Sequence, residues 1–359
     1  MLPIPLTAND APADKVRSAQ WFLAYLDAGK AHSISTGAGV IVGLPDSGVA
    51  PHPDLEDNLL RGIDVVAGGH GIGQFDQIGH GTQMAGLIVA HGRDGVGALG
   101  IAPAAKVLPI KIFGSTDTDV NLHAGIKWAA RNGVEVISIS STAAPSKNLD
   151  AAVDAAATSD SVIVASAGNR SRDAFMRYPA VSPGVLAVGA IDRNGRHADY
   201  SLTGPSVGIC APGTEIVTTG LDNGYRDTDG TSAATAIVSG AAALVRSRFP
   251  ELSAQEVIHR LTATATDIGP PGRDDECGFG VLNIVKALTA YVPPVDSTTG
   301  PGADPSGAAV PSGSASSAHP PGAETGGSAL LAVTGGGAAI VAIGTLLAFA
   351  AARRRRRPG

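Results

Sequence analysis

Residues 230–240 read GTSAATAIVSG, and the run of small and apolar residues after Ser232 continues without charge to Val245. A stretch this long and this apolar reads as a buried helix. The serine at its mouth has two readings. As an N-cap, its hydroxyl satisfies a free backbone N–H. As a nucleophile, it faces a cleft. The rest of the chain decides between them.

Outward from this helix, strand patterns alternate with helix patterns. The β-branched run VIVGLPDSG at 40–48 is a buried strand ending at Asp46 and a Gly turn. In GHGTQMAGLIVA at 79–90, a Gly turn feeds an apolar helix that starts at His80. Residues 107–113, 134–140, 161–165 and 185–189 read as further strands, the run at 161–165 leading to Gly168 and Asn169. Residues 121–131, 149–158 and 253–262 read as helices. The short amphipathic piece at 21–26 is expected to pack on the main domain.

The alternation predicts an α/β fold, a mostly parallel central sheet with helices on both faces. Sites in such sheets lie beyond the carboxyl ends of the strands. Asp46 and Asn169 fall at strand ends, and His80 and Ser232 at helix starts. Four polar residues from distant parts of the chain therefore meet at one edge, which a helix cap does not explain. Nucleophilic catalysis by serine needs a base, a carboxylate that orients it and donors for the oxyanion. Ser232, His80, Asp46 and Asn169 can fill those roles, and Asp, His, Ser is one of the chain orders this geometry takes.

These segments also resemble a known family. PDSG at 45–48, GHGTQMAG at 79–86, ASAGN at 165–169 and GTSAATAIVSG at 230–240 are similar to the motifs of the subtilisin-like serine proteases, the subtilases. RYPA at 177–180, VLAVGAID at 185–192 and CAPG at 210–213 match further landmarks, and the likeness runs in register from 34 to 290. It implies a subtilisin-like fold and an endopeptidase acting on polypeptide substrates through Asp46, His80 and Ser232, with Asn169 at the oxyanion. It further implies that Ser140, Ser141 and Thr142 pair with substrate backbone. Ser166, Ala167 and Gly168 then wall the pocket for the residue preceding the cut.

The chain departs from the family at Pro45, Met84, Thr142 and Ala236, none of which removes a catalytic group. The segments RSAQWFL at 17–23, AHSISTGAGV at 31–40 and RDDECGFGVLN at 273–283 are similar to actinobacterial mycosins, proteases associated with type VII secretion. That likeness implies a secretion apparatus as partner. It also leaves an alternative, a catalytically silent scaffold supporting such a system. An esterase on another fold is a poor reading, since no GxSxG elbow surrounds Ser232.

Composition bounds the remaining possibilities. The 359 residues are 44% hydrophobic and 16% charged, with a net charge of −6. The one dense basic run is at 353–357, so no nucleic-acid face is implied. Two cysteines, Cys210 and Cys277, are too few for a four-ligand zinc site; one disulfide or two buried thiols remain open. Asp54 reads as a turn or cap residue, Asp76 as ordering the loop before His80, and residues 274–276 as a solvated acidic loop. No cofactor is expected. Many relatives bind calcium, but the loop at 91–97 offers only Asp94 as a hard ligand, and no metal site is expected there.

The sequence divides into an N-terminal extension (1–33), the peptidase domain (34–291), a Pro/Gly/Ser/Ala-rich linker (292–328) and a C-terminal segment (329–359). The linker cannot build a core and is expected to be extended. The last segment reads in two ways. It is long and apolar enough for a membrane span held by cytoplasmic arginines. Alternatively, Leu331, Ala332, Val333, Thr334 and Gly335 resemble a LAxTG signal that a sortase cuts between Thr334 and Gly335. Both place the protease on the cell surface. The first residues show no signal-peptide pattern, so the true start is expected upstream of Met1.

Overall fold

The computed structural model describes residues 13–66, 71–92, 95–114 and 121–294. The linker beyond 294, the C-terminal segment with Thr334 and its neighbours, and Asp94 lie outside them. In chain order the elements are α1 (Ala13–Ala19), α2 (Trp21–Tyr25), α3 (Ala28–His32), β1 (Ile41–Asp46), β2 (Ile63–Asp64), α4 (His80–Val89), β3 (Lys106–Lys111), α5 (Leu122–Arg131) and β4 (Val136–Ile139). They continue with α6 (Lys147–Thr158), β5 (Val162–Ser166), β6 (Val185–Ile191), β7 (Val207–Pro212), β8 (Ile216–Thr219), β9 (Tyr225–Thr228), α7 (Thr231–Arg248), α8 (Ala254–Ala263) and α9 (Ile284–Thr289).

Seven strands form one sheet in the order β2-β3-β1-β4-β5-β6-β7. Every neighbouring pair is parallel. The strands are apolar on both faces because both faces are covered. Leu44, Val136, Val164 and Val188 point to one core, shared with Met84 and Leu87 of α4 and Ile237 and Leu244 of α7. Ile110, Ile137, Ile139 and Ile163 point to the other, shared with Ile126 of α5 and Leu149 of α6. The alternation of Val136 with Ile137 is the two-residue strand period placing successive side chains on opposite faces.

β1 lies between β3 and β4, so the chain leaves it in one direction across the sheet and later returns to its other side. A sheet of this kind opens a crevice at that reversal, outside the carboxyl ends of the strands. Asp46 closes β1 there, and residues 140–142 follow β4.

Three features differ from the sequence expectation. β4 stops at Ile139, so Ser140 leaves the ladder. β7 is a full member of the sheet although VGICAP, with its glycine and terminal proline, carries little strand signal. β8 and β9 form an antiparallel hairpin outside the main sheet.

The N-terminal helices join the core through Val16, Phe22 and Ala31, which agrees with the packing expected at 21–26. Cys210 and Cys277 form a disulfide, which resolves the two alternatives. It closes a separation of 67 residues, a loop length that contributes about 4 kcal/mol in the chain-entropy account. Among the described residues no helix is long and apolar enough to cross a membrane.

Candidate active site

Asp46 is fully buried at the end of β1. Its Oδ1 accepts the Ser47 N–H at 2.7 Å. Both carboxylate oxygens face His80 Nδ1, at 2.8 and 2.9 Å. With Nδ1–H donating to Asp46, the Nε2 lone pair of His80 is left free. The His80 side chain is 24% exposed, so one edge of the ring meets the carboxylate and the other meets solvent.

The local sequence explains this approach. His80 opens α4, and the backbone of its first turn packs against the turn after Asp46. A Cβ on Gly81 would lie 2.0 Å from the Gly48 carbonyl oxygen, so only glycine permits the contact. Ser47 Oγ accepts the Gly81 N–H at 2.9 Å. Asp76 fixes the entry from the other side, as its position four residues before His80 suggested. Its Oδ1 accepts from Ile78 and Gly79 N–H, and its Oδ2 from the Thr82 N–H and hydroxyl.

Burial alone would lower the His80 pKa. The charge of Asp46 and its hydrogen bond outweigh that penalty, and the net result lies above the ordinary histidine value. Arg172 acts in the lowering sense and Asp76 in the raising sense.

Ser232 is the second residue of α7, not its cap. The cap residue is Gly230, at φ 145, and no side chain of its own caps the helix. The cap reading of Ser232 is therefore corrected. Instead Asn169, after β5, reaches across: its Oδ1 accepts the Thr231 N–H at 3.1 Å and the Thr231 hydroxyl at 3.3 Å. That fixes the amide with its Nδ2 hydrogens unspent. The Ser232 hydroxyl and N–H likewise make no hydrogen bond among the described residues. α7 runs unbroken through Ala236, so the residue standing where the family carries proline leaves the helix regular.

His80, Ser232 and Asn169 open into one cleft of about 410 Å³. Ser140, Ser141, Thr142, Ser166 and Gly168 also line it. Residues 140–142 make no backbone–backbone hydrogen bond among the described residues until Ala143 N–H reaches Tyr178 O. Their backbone N–H and C=O groups are thus left unspent among the described residues. Ala167 does not line the cleft: its methyl is fully buried and its N–H is held by Val188 O. Its side chain therefore turns away from the cleft that Ser166 and Gly168 line.

The reading from sequence missed two groups in the cleft. Ile78, Ile112, Phe113 and Leu122 add apolar lining, and Arg172, Asp173 and Arg177 add charged lining. They lie on loops and element ends whose spacing carries no pattern.

Asp54 is also more than a turn residue. It is 1% exposed, and its Oδ2 accepts from the Ala98 N–H and the Tyr225 hydroxyl. Arg17 adds a nearby positive charge and donates to Gly97 O. This carboxylate beside the 91–97 loop is thus already committed to protein donors. Among the described residues no group of three or more His, Cys, Asp or Glu could hold a metal ion.

The Peptidase_S8 model, the subtilase family, matches residues 37–280. Subtilisin Savinase from Lederbergia lenta is 35% identical over 275 residues, 76% of this chain and 99% of that protein. Among solved structures, the MycP3 protease from the type VII (ESX-3) secretion system matches with a TM-score of 0.68 at 31% identity, covering 80% of this chain and 91% of that one. A chain of an intact ESX-5 inner membrane complex matches with a TM-score of 0.70 at 31% identity, covering 88% and 86%.

Proposed function

The chain belongs to the subtilase family and is a serine endopeptidase, and from that premise we propose that Asp46, His80 and Ser232 hydrolyse peptide bonds through an acyl-enzyme. Ser232 Oγ attacks the scissile carbonyl carbon as His80 Nε2 takes the hydroxyl proton. Asp46 holds the ring in the required tautomer and stabilises the imidazolium. The oxyanion accepts from Asn169 Nδ2 and the Ser232 N–H, at the positive end of the 18-residue α7. Each such donor is worth about 2.7–4 kcal/mol in the transition state. His80 then passes its proton to the leaving amine. Water, deprotonated by the same base, releases the acyl group from Ser232. Residues 140–142 hold the substrate backbone by strand addition, and Ser166 and Gly168 flank the side chain preceding the cut.

The observation that carries this reading is the Asp46–His80 hydrogen bond opening into the cleft that also holds the Ser232 hydroxyl. A peptide-library cleavage profile of the full chain tests it beside Ser232→Ala. The expected loss is about 10⁴-fold or more. Equal cleavage by the variant overturns the assignment, and absence of cleavage by the wild type favours the silent scaffold.

We further place the protease with a type VII secretion apparatus at the cell envelope, its catalytic domain outside. The mycosin and ESX-5 neighbours support this. So does the Cys210–Cys277 disulfide, a bond that persists in oxidising compartments. Residues 329–359 would tether it there, as a span or by linkage at Thr334.

A further inference from the structure

Three charged residues that line the cleft, Arg172, Asp173 and Arg177, take no part in the proposed chemistry. Arg172 and Asp173 stand three and four residues after Asn169, and both of their N–H groups donate to Asn169 O, at 2.8 and 2.9 Å. Their backbone is therefore fixed relative to the oxyanion residue. Arg177, 36% exposed, faces Asp173, 11% exposed, at 3.7 Å. That distance is long for a charge-assisted hydrogen bond. Arg177 is partly exposed and held only at that long distance, so an incoming anion can compete for it.

Arg172 has no such partner. Its guanidinium is exposed and makes no hydrogen bond or ion pair among the described residues. Its charge nevertheless reaches the site, as its effect on His80 shows. Two guanidinium groups thus meet one carboxylate, and that carboxylate already faces one of them. A cationic side chain entering here meets a net positive wall. A carboxylate meets one free planar fork and a second that is weakly held, the geometry that arginine uses for carboxylate recognition.

We infer that this charged lining selects substrates with an acidic residue immediately before the scissile bond, bound by Arg172 with Arg177 in support. The inference rests on the proposed function, which puts that side chain against Ser166 and Gly168, in the cleft that Arg172 and Arg177 also line. Arg172 and Arg177 are here residues of specificity, not of the reaction.

The test uses the full chain and three internally quenched peptides differing only in the residue before the cut: Glu, Leu or Lys. Cut positions are read by mass. At low salt (about 10 mM), kcat/KM for the Glu peptide is expected to exceed that for the Lys peptide roughly tenfold or more. The ratio should shrink at about 0.3 M salt, where exposed charges are screened. Arg172→Glu should reverse the ratio, and Arg172→Lys should keep its sense at smaller size. The Leu peptide reports that each variant is folded and active.

Glu and Lys peptides cleaved within twofold of each other by the wild type overturn the inference. So does a ratio that Arg172→Glu leaves unchanged while the Leu peptide is cleaved. Cleavage of none of the three overturns the peptidase reading beneath it.

Discussion

His80 stands between opposed demands. Burial favours its neutral form, and the Asp46 carboxylate favours the cation by enough to raise its pKa above the ordinary value. The consequences for stability and for activity have opposite signs. The protonated pair stabilises the fold below the unfolded histidine pKa of about 6.5, and that contribution is lost as pH rises through the raised folded value. Activity needs the neutral base, so kcat/KM should climb with pH through that same raised value. Asp46→Asn removes the charge that raises it. In that variant kcat should fall about 10⁴-fold, and the acid limb of the pH–rate profile should move to lower pH. An acid limb that stays in place would mean that another group controls it. Asp46 was legible from sequence because it combines a buried strand, a polar terminus and a glycine turn in nine residues. Asp54 sits in a turn, and its partners Arg17, Ala98 and Tyr225 come from three distant segments. No local pattern announces such a residue.

At the scale of elements, Asn169 ties the loop after β5 to the start of α7. Asn169 caps α7 from outside through Oδ1 while keeping Nδ2 for the cleft. The two roles separate experimentally. Asn169→Asp keeps an acceptor for Thr231 and loses the donor, so it should retain most of the melting temperature while kcat falls about 10²–10³-fold. Asn169→Ala loses both, adding a stability cost of about 1 kcal/mol. An Asp variant as active as wild type would remove Asn169 from the oxyanion. The strands and helices around this junction were readable because both faces of the sheet are covered, which makes them continuous apolar runs. β7 was not, since glycine and proline break its pattern and its pairing with β6 is purely tertiary. The β8–β9 hairpin did carry a signal. Asp222 and Asn223 adopt positive φ, 56° and 58°, in LDNG, the turn that Asx-Gly pairs favour.

Over the whole molecule, the strand order does what no single motif can. It brings Asp46 beside the segment that follows β4, and the long crossovers return His80 and Ser232 to the same edge. The ordered motifs gave away this arrangement, whereas the charge pattern of the cleft became visible only once Arg172, Asp173 and Arg177 were placed in space. The tail is a separate matter, and mass spectrometry of the mature protein reads it directly. A C-terminus at Thr334 assigns wall linkage; a chain continuing through the arginines at 353–357 assigns the span. The central claim is that Ser232 is a nucleophile activated by the His80–Asp46 pair. Labelling the full chain with a fluorophosphonate, followed by peptide mapping, tests it most directly. One adduct is predicted, on Ser232, with a rate that rises with pH through the raised His80 pKa and drops steeply in Asp46→Asn. A folded protein whose Ser232 takes no label at any pH from about 6 to 9 would contradict the account.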